Sequence, residues 1–158
     1  MATEIERKFL LSNDGWRTQS DGGSRIMQGY LANKPACTVR VRVRAERAWL
    51  TVKGRAADGD GVSRLEYEYP IPLQDAEEML ATLAQRPFIE KVRHEIKHAE
   101  HLWEVDEFSG DNAGLVIAEI ELAHAGEAYA SPSWLGKEVS DDPRYLNAAL
   151  VKQPFATW

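Results

Sequence analysis

Along most of the chain, charged and apolar residues alternate in short runs, a period of two that predicts β-strands with one polar and one apolar face. Such runs lie near residues 3–11, 25–32, 38–44, 48–54, 63–70, 89–98, 101–108 and 115–122. They are separated by SDGGS, ANKP, AADGDG and SGDNAG, where Gly, Asn, Asp and Pro supply the dihedrals of turns. Only PLQDAEEMLATLAQRP carries a clear helical period: Ala76, Met79, Leu80 and Leu83 form one stripe, with Pro87 expected just past the helix end. A second helix is expected after SDDP, capped by Asp141 or Asp142, with Pro143 in its first turn and Tyr145, Ala149 and Leu150 on its apolar side.

Composition changes this picture little. The 158 residues are 44% hydrophobic and 28% charged, which suits one ordinary globular domain over 1–158 with a core of its own. No repeat or linker divides it. Cys37 is alone, and no Cys/His spacing of the zinc type occurs. The N-terminus reaches charge at once and no apolar run is long enough to span a bilayer, so the cytoplasm is the expected location, with no membrane partner. A formal net charge of −6 argues against a nucleic-acid surface, while leaving room for a local basic pocket.

The chemistry lies in which charges share a face. Glu4, Glu6 and Lys8 point one way on the first strand; Arg40, Arg42 and Arg44 do so on the third, and Thr51 with Lys53 on the fourth. Arg64, Glu66 and Glu68 follow, then Lys91 and Arg93, Glu104 and Asp106, Glu119 and Glu121. One wet face of an antiparallel sheet explains any single strand of this kind. The set is different, because Arg and Glu dominate it and the carboxylates recur in pairs two residues apart, about 6.6 Å along a strand. In a closed barrel such faces point inward. Buried cations and carboxylates together suit a polyanion bound with hard divalent cations: Arg and Lys hold phosphate oxygens, and Glu pairs hold Mg²⁺ or Mn²⁺.

In this order, the motifs Glu4-x-Glu6-x-Lys8, Arg40-x-Arg42, Thr51-x-Lys53, Arg64-x-Glu66-x-Glu68, Lys91-x-Arg93, Glu104-x-Asp106 and Glu119-x-Glu121 resemble the CYTH superfamily of triphosphate tunnel metalloenzymes. MQGYL and the ending GKEVSDDPRYLNAAL are most similar to its small bacterial tripolyphosphatase branch, with Ser140 replacing a threonine but keeping the hydroxyl. The resemblance implies an α+β fold: a closed antiparallel barrel of eight strands forming a tunnel, a few flanking helices, and a C-terminal helix as plug. It implies metal ligation by Glu4, Glu6, Glu119 and Glu121, with Asp106 and Glu104 supporting or at a second site. Substrate binding falls to Lys8, Arg40, Arg42, Arg64, Lys91 and Arg93. Lys53 becomes the candidate general base or water-positioning group, on the ground that a lysine crowded by cations loses affinity for its proton, and Lys8 stands beside it in the catalytic set. Tyr30 is expected to meet the plug.

Other residues carry less. His94, His98, His101 and His124 fall on different faces or in turns and are not expected to bind metal. Trp16, Trp49, Trp103, Trp134 and Trp158 are expected to pack. The implied activity is metal-dependent cleavage of inorganic triphosphate, a small-molecule substrate, by a monomer or homodimer. A nucleoside or thiamine triphosphatase, an adenylate cyclase and a non-catalytic polyphosphate or nucleotide sensor are the alternatives; the intact Glu pairs and Lys53 speak against the last.

Overall fold

The computed structural model describes residues 3–56 and 62–158. Nine strands form one antiparallel sheet: β1 (Thr3–Leu11), β2 (Ser24–Lys34), β3 (Cys37–Arg44), β4 (Arg47–Ala56), β5 (Ser63–Ile71), β6 (Gln85–His98), β7 (His101–Phe108), β8 (Val116–Glu121) and β9 (Leu135–Glu138). Its order is β5-β4-β3-β2-β6-β7-β8-β1-β9, and β5 also pairs with β1, so the first eight strands close into a barrel. β1 makes the closure. Glu6–Phe9 pair with β8 on one edge, while the other edge takes β5 at Thr3–Ile5 and β9 from Phe9 onward.

The eight alternating runs become the eight barrel strands, and β9 is an addition that the alternation does not announce. Of the AADGDG turn only Ala56, the last residue of β4, lies within the described set. β3 and β4 are joined through Ala45 and Glu46, and β6 and β7 through Ala99 and Glu100, with φ of 55° at Ala45 and 53° at Ala99. These tight hairpins carry no Gly or Asn, so the sequence lacks the turn signal that marks the others.

Helix α1 (Leu73–Thr82) lays Ala76 and Leu80 against Val41 and Ala48 on the outside of the barrel. It approaches β2 so closely that a Cβ on Gly29 would stand 2.9 Å from Leu80 Cδ2 and 2.8 Å from Ala84 Cβ. The expected stripe is too long at its C-terminus. Leu83 is exposed, and β6 begins at Gln85, so Pro87 sits in a strand and not beyond a helix. The second helix is also shorter than expected. Asp142 accepts a hydrogen bond from Arg144 N to cap a 3₁₀ turn over Pro143–Tyr145, Leu146 is extended, and α2 runs only over Asn147–Lys152.

Two apolar clusters finish the molecule. Trp16, Trp103 and Trp134 pack with Phe9, Ile96 and Ile120 on the outer face of β1, β6, β7 and β8. The second cluster lies inside. Ile89 shares the inward face of β6 with Lys91 and Arg93, and Ile117 that of β8 with Glu119; both pack with Tyr30, Phe108, Tyr145, Leu150 and Val151. One end of the barrel is thereby filled with hydrocarbon and stoppered by α2, and Tyr30 is among the residues that meet it.

Candidate active site

Above that stopper lies a cavity of about 540 Å³, lined almost wholly by the charged inward faces. Glu4, Glu6, Lys8, Arg40, Arg42, Lys53, Arg64, Lys91, Arg93, Glu104, Glu119 and Glu121 all line it. Barrel closure sorts them by sign. The carboxylates come from the contiguous strands β7, β8, β1 and β5; the cations come from β6, β3 and β4, and only Lys8 and Arg64 stand on the acidic side. The two signs form opposite walls.

Within the acidic wall, Glu6 is directly opposite Glu121 and Lys8 opposite Glu119 across the β1–β8 ladder. Lys8 Nζ lies 2.8 Å from Glu119 Oε1 and 3.3 Å from Glu6 Oε1. Burial alone would lower its pKa, but Glu119 and Glu6 raise it above the ordinary lysine value, so Lys8 stays charged. Glu121 is pushed up by burial and by the negative charge of Glu4, Glu6 and Glu104. Glu104 is raised as well, by burial first, against the opposing pull of Arg93. These carboxylates repel one another in the absence of a cation. An oxygen donor set with excess negative charge fits a hard divalent ion. Among the described residues no three carboxylate, imidazole or thiolate groups already converge as a finished cation site; Lys8 takes oxygens of Glu6 and Glu119, and Lys53 one of Glu4.

Asp106 lies apart from that set. It is fully buried behind the cavity surface, with Arg93 Nε at 2.8 Å and Lys91 Nζ at 2.7 Å, so its oxygens are spent on two cations and do not reach the cavity. Arg93 reaches further, to Glu104 at 3.0 Å. Lys53 also differs from expectation in its surroundings. Its neighbour is Glu4, 2.6 Å from Nζ. The crowding by cations belongs to Lys91, which burial, then Arg93 and Arg42, lower to about 7 against the attraction of Asp106.

Further residues reach or shape the cavity without having been expected there, Thr3, Leu146 and Ala148 among them. Gln28 is buried on the inward face of β2 and accepts a hydrogen bond from Arg42 Nε at 2.9 Å. Thr38 and Asn147 line the cavity, Asn147 from the first position of α2. Trp49 lines it too, since it shares the inward face of β4 with Thr51 and Lys53, whereas Trp16, Trp103 and Trp134 are packed. Trp158 is 43% exposed. For Gln28 a signal existed: a lone amide among apolar inward positions is out of place unless it has a partner. Of the histidines, His94 meets Ser20, and His101 meets Glu127, both outside the cavity.

With this geometry in place, comparison with known proteins is informative. A family model described as the CYTH domain matches residues 2–149. A protein of Acetivibrio thermocellus named inorganic triphosphatase is 47% identical over 155 residues, covering 98% of this chain and 97% of its own length. Another so named, from Nitrosomonas europaea, is 35% identical over 157 residues, with 94% and 97% covered. The solved structure of the inorganic triphosphatase NE1496 has a TM-score of 0.64 at 31% identity and covers 96% of this chain and 95% of that one.

Proposed function

The chain belongs to the CYTH family, and from that premise we propose that it is a divalent-metal-dependent phosphohydrolase that cleaves inorganic triphosphate to pyrophosphate and phosphate. The observation that carries this reading is the polarised cavity, a cationic wall facing a carboxylate wall inside one closed barrel. A polyanion alone would satisfy only the first wall, and cations alone only the second. Together they neutralise the site.

In this reading Arg40, Arg42, Arg64, Lys91 and Arg93 hold the phosphate oxygens, and Lys8, kept charged by its two glutamates, bridges to the acidic wall. Asp106 supports Lys91 and Arg93 from behind and is left out of the metal-ligand set, because it is fully buried behind the cavity surface. Glu4, Glu6, Glu119 and Glu121, with Glu104 nearby, would hold Mg²⁺ or Mn²⁺, which supplies charge neutralisation and a more acidic bound water. Lys53, hydrogen-bonded to Glu4, stands between the walls and orients the attacking water. Water oxygen bonds to the terminal phosphorus, the bridging P–O bond breaks, pyrophosphate leaves, and the proton passes to solvent.

Phosphate release from tripolyphosphate, ATP, thiamine triphosphate and pyrophosphate, assayed side by side with Mg²⁺ and with Mn²⁺, tests the proposal. Tripolyphosphate is expected to give the highest kcat/KM. A higher value for ATP or thiamine triphosphate would favour a second reading, hydrolysis of a ring-bearing triphosphate, for which the aromatic face of Trp49 in the cavity wall is the supporting observation. Release from none of them would overturn both.

A further inference from the structure

We infer that Asn147 is a substrate-contacting residue whose side-chain amide nitrogen donates a hydrogen bond to a phosphate oxygen at the α2 end of the cavity; this rests on the triphosphatase reading above. The inference starts from a chain of hydrogen bonds. Arg42 Nε donates to Gln28 Oε1 at 2.9 Å, Gln28 Nε2 donates to Asn147 Oδ1 at 3.3 Å, and Lys91 Nζ donates to the same Oδ1 at 3.1 Å. The Arg42 end of this chain is a guanidinium that can only donate. It settles both amides in turn: Gln28 must offer its oxygen to Arg42, its NH₂ then faces Asn147, and Asn147 must offer its oxygen. Neither amide can flip without setting donor against donor.

What remains is the Asn147 nitrogen. The residue lines the cavity and is 8% exposed, yet Nδ2 has no acceptor among the described residues. A buried amide with both oxygen lone pairs used and two N–H groups unspent, beside a cavity whose basic wall calls for a polyanion, is a donor awaiting an acceptor. It adds no net charge. Placed between Lys91 and the hydrocarbon stopper, it can bind a phosphate oxygen without further crowding the cations that already repel one another there. Asn33 Nδ2 donates to Ala148 O at 2.8 Å and Lys152 Nζ to Asn33 O at 3.1 Å, so β2 fixes α2 at both ends and holds Asn147 in place.

The test uses the whole protein labelled with ¹⁵N-asparagine, and imidotriphosphate with Mg²⁺ as a hydrolysis-resistant probe. The Asn147 amide resonance, identified by its disappearance in Asn147→Asp, is expected to shift downfield on saturation. By calorimetry, at a temperature below the variant's Tm, which the loss of acceptor for Gln28 and Lys91 is expected to lower, Asn147→Ala should raise the Kd for the probe about tenfold or more, the size of a hydrogen bond to a charged group. An amide resonance that stays in place at saturation, or an alanine variant that binds within twofold of the natural chain, overturns the inference. Should the alanine variant not fold, the resonance of the natural protein decides alone. Tripolyphosphate hydrolysis by the natural chain is assayed alongside: turnover with a silent Asn147 removes only this inference, while no binding and no turnover remove the triphosphatase reading with it.

Discussion

Lys91 shows how one side chain is tuned by its place. With a pKa lowered to about 7 by burial and by Arg93 and Arg42, it is charged below neutrality and largely uncharged above it. A bound polyanion favours the charged form, so binding above pH 7 must draw in a proton and affinity must fall as pH rises. Calorimetry at pH 8 in buffers of different ionisation enthalpy should register this uptake, and Lys91→Met should abolish its share of it. Asp106 is shifted in the same direction, which for a carboxyl favours the charged form. Burial would raise it, but Arg93 and Lys91 hold it well below its unfolded value of 3.8, so its contribution to stability is complete above pH 3.8 and is lost as pH falls through the folded value. Asp106→Asn leaves two buried cations short of a counter-charge and should cost about 3 kcal/mol at pH 7 by denaturant unfolding, with a flatter loss of stability in acid. Lys53 is tested by rate: Lys53→Ala should lower kcat by about 10²- to 10⁴-fold with little change in Kd, whereas Arg40→Ala should weaken binding as well. A Lys53→Ala enzyme with normal kcat at saturation would make Lys53 another phosphate clamp.

Among the elements, α2 has more influence than its six residues suggest. It is too short to be stable alone, and it is held by Leu150 and Val151 entering the apolar end of the barrel beside Tyr30, Ile89 and Tyr145. Leu150→Ala should therefore destabilise the fold by about 2–5 kcal/mol in denaturant unfolding. Because Leu146, Asn147 and Ala148 line the cavity just above, the same variant should also raise the KM for tripolyphosphate. A KM unchanged despite the stability loss would separate the stopper from the site.

At the scale of the whole molecule, closure creates the site. The β5–β1 pairing completes the acidic arc β7-β8-β1-β5 and closes it, through β4, against the basic strands, so that most inward charges share one enclosed volume. Glu4, Glu6, Glu104 and Glu121 repel there, so a divalent ion that relieves them should stabilise the fold by mass action. Millimolar Mn²⁺ is expected to raise Tm, and Glu6→Gln or Glu121→Gln to reduce that rise. A Tm insensitive to Mg²⁺ and Mn²⁺ would count against ligation by this wall.

By itself, the sequence determined the strand set and the faces: alternation is a local property, and each charged residue's side of its strand follows from parity alone. It also carried the ordered motifs Glu4-x-Glu6-x-Lys8 to Glu119-x-Glu121, and with them the membership in a family of barrels. Tertiary structure alone decided what those faces meet. Whether Asp106 reaches the cavity or lies behind Lys91, whether Lys53 or Lys91 is the crowded lysine, and which amides of Gln28 and Asn147 are engaged all depend on neighbours from other strands, distant in the chain. β9 and the division of the last helix escaped for the same reason: Leu135–Glu138 is a strand because β1 offers it a free edge beyond β5. Parity is written residue by residue, but electrostatic environment is a sum over contacts that exist only once the barrel has closed.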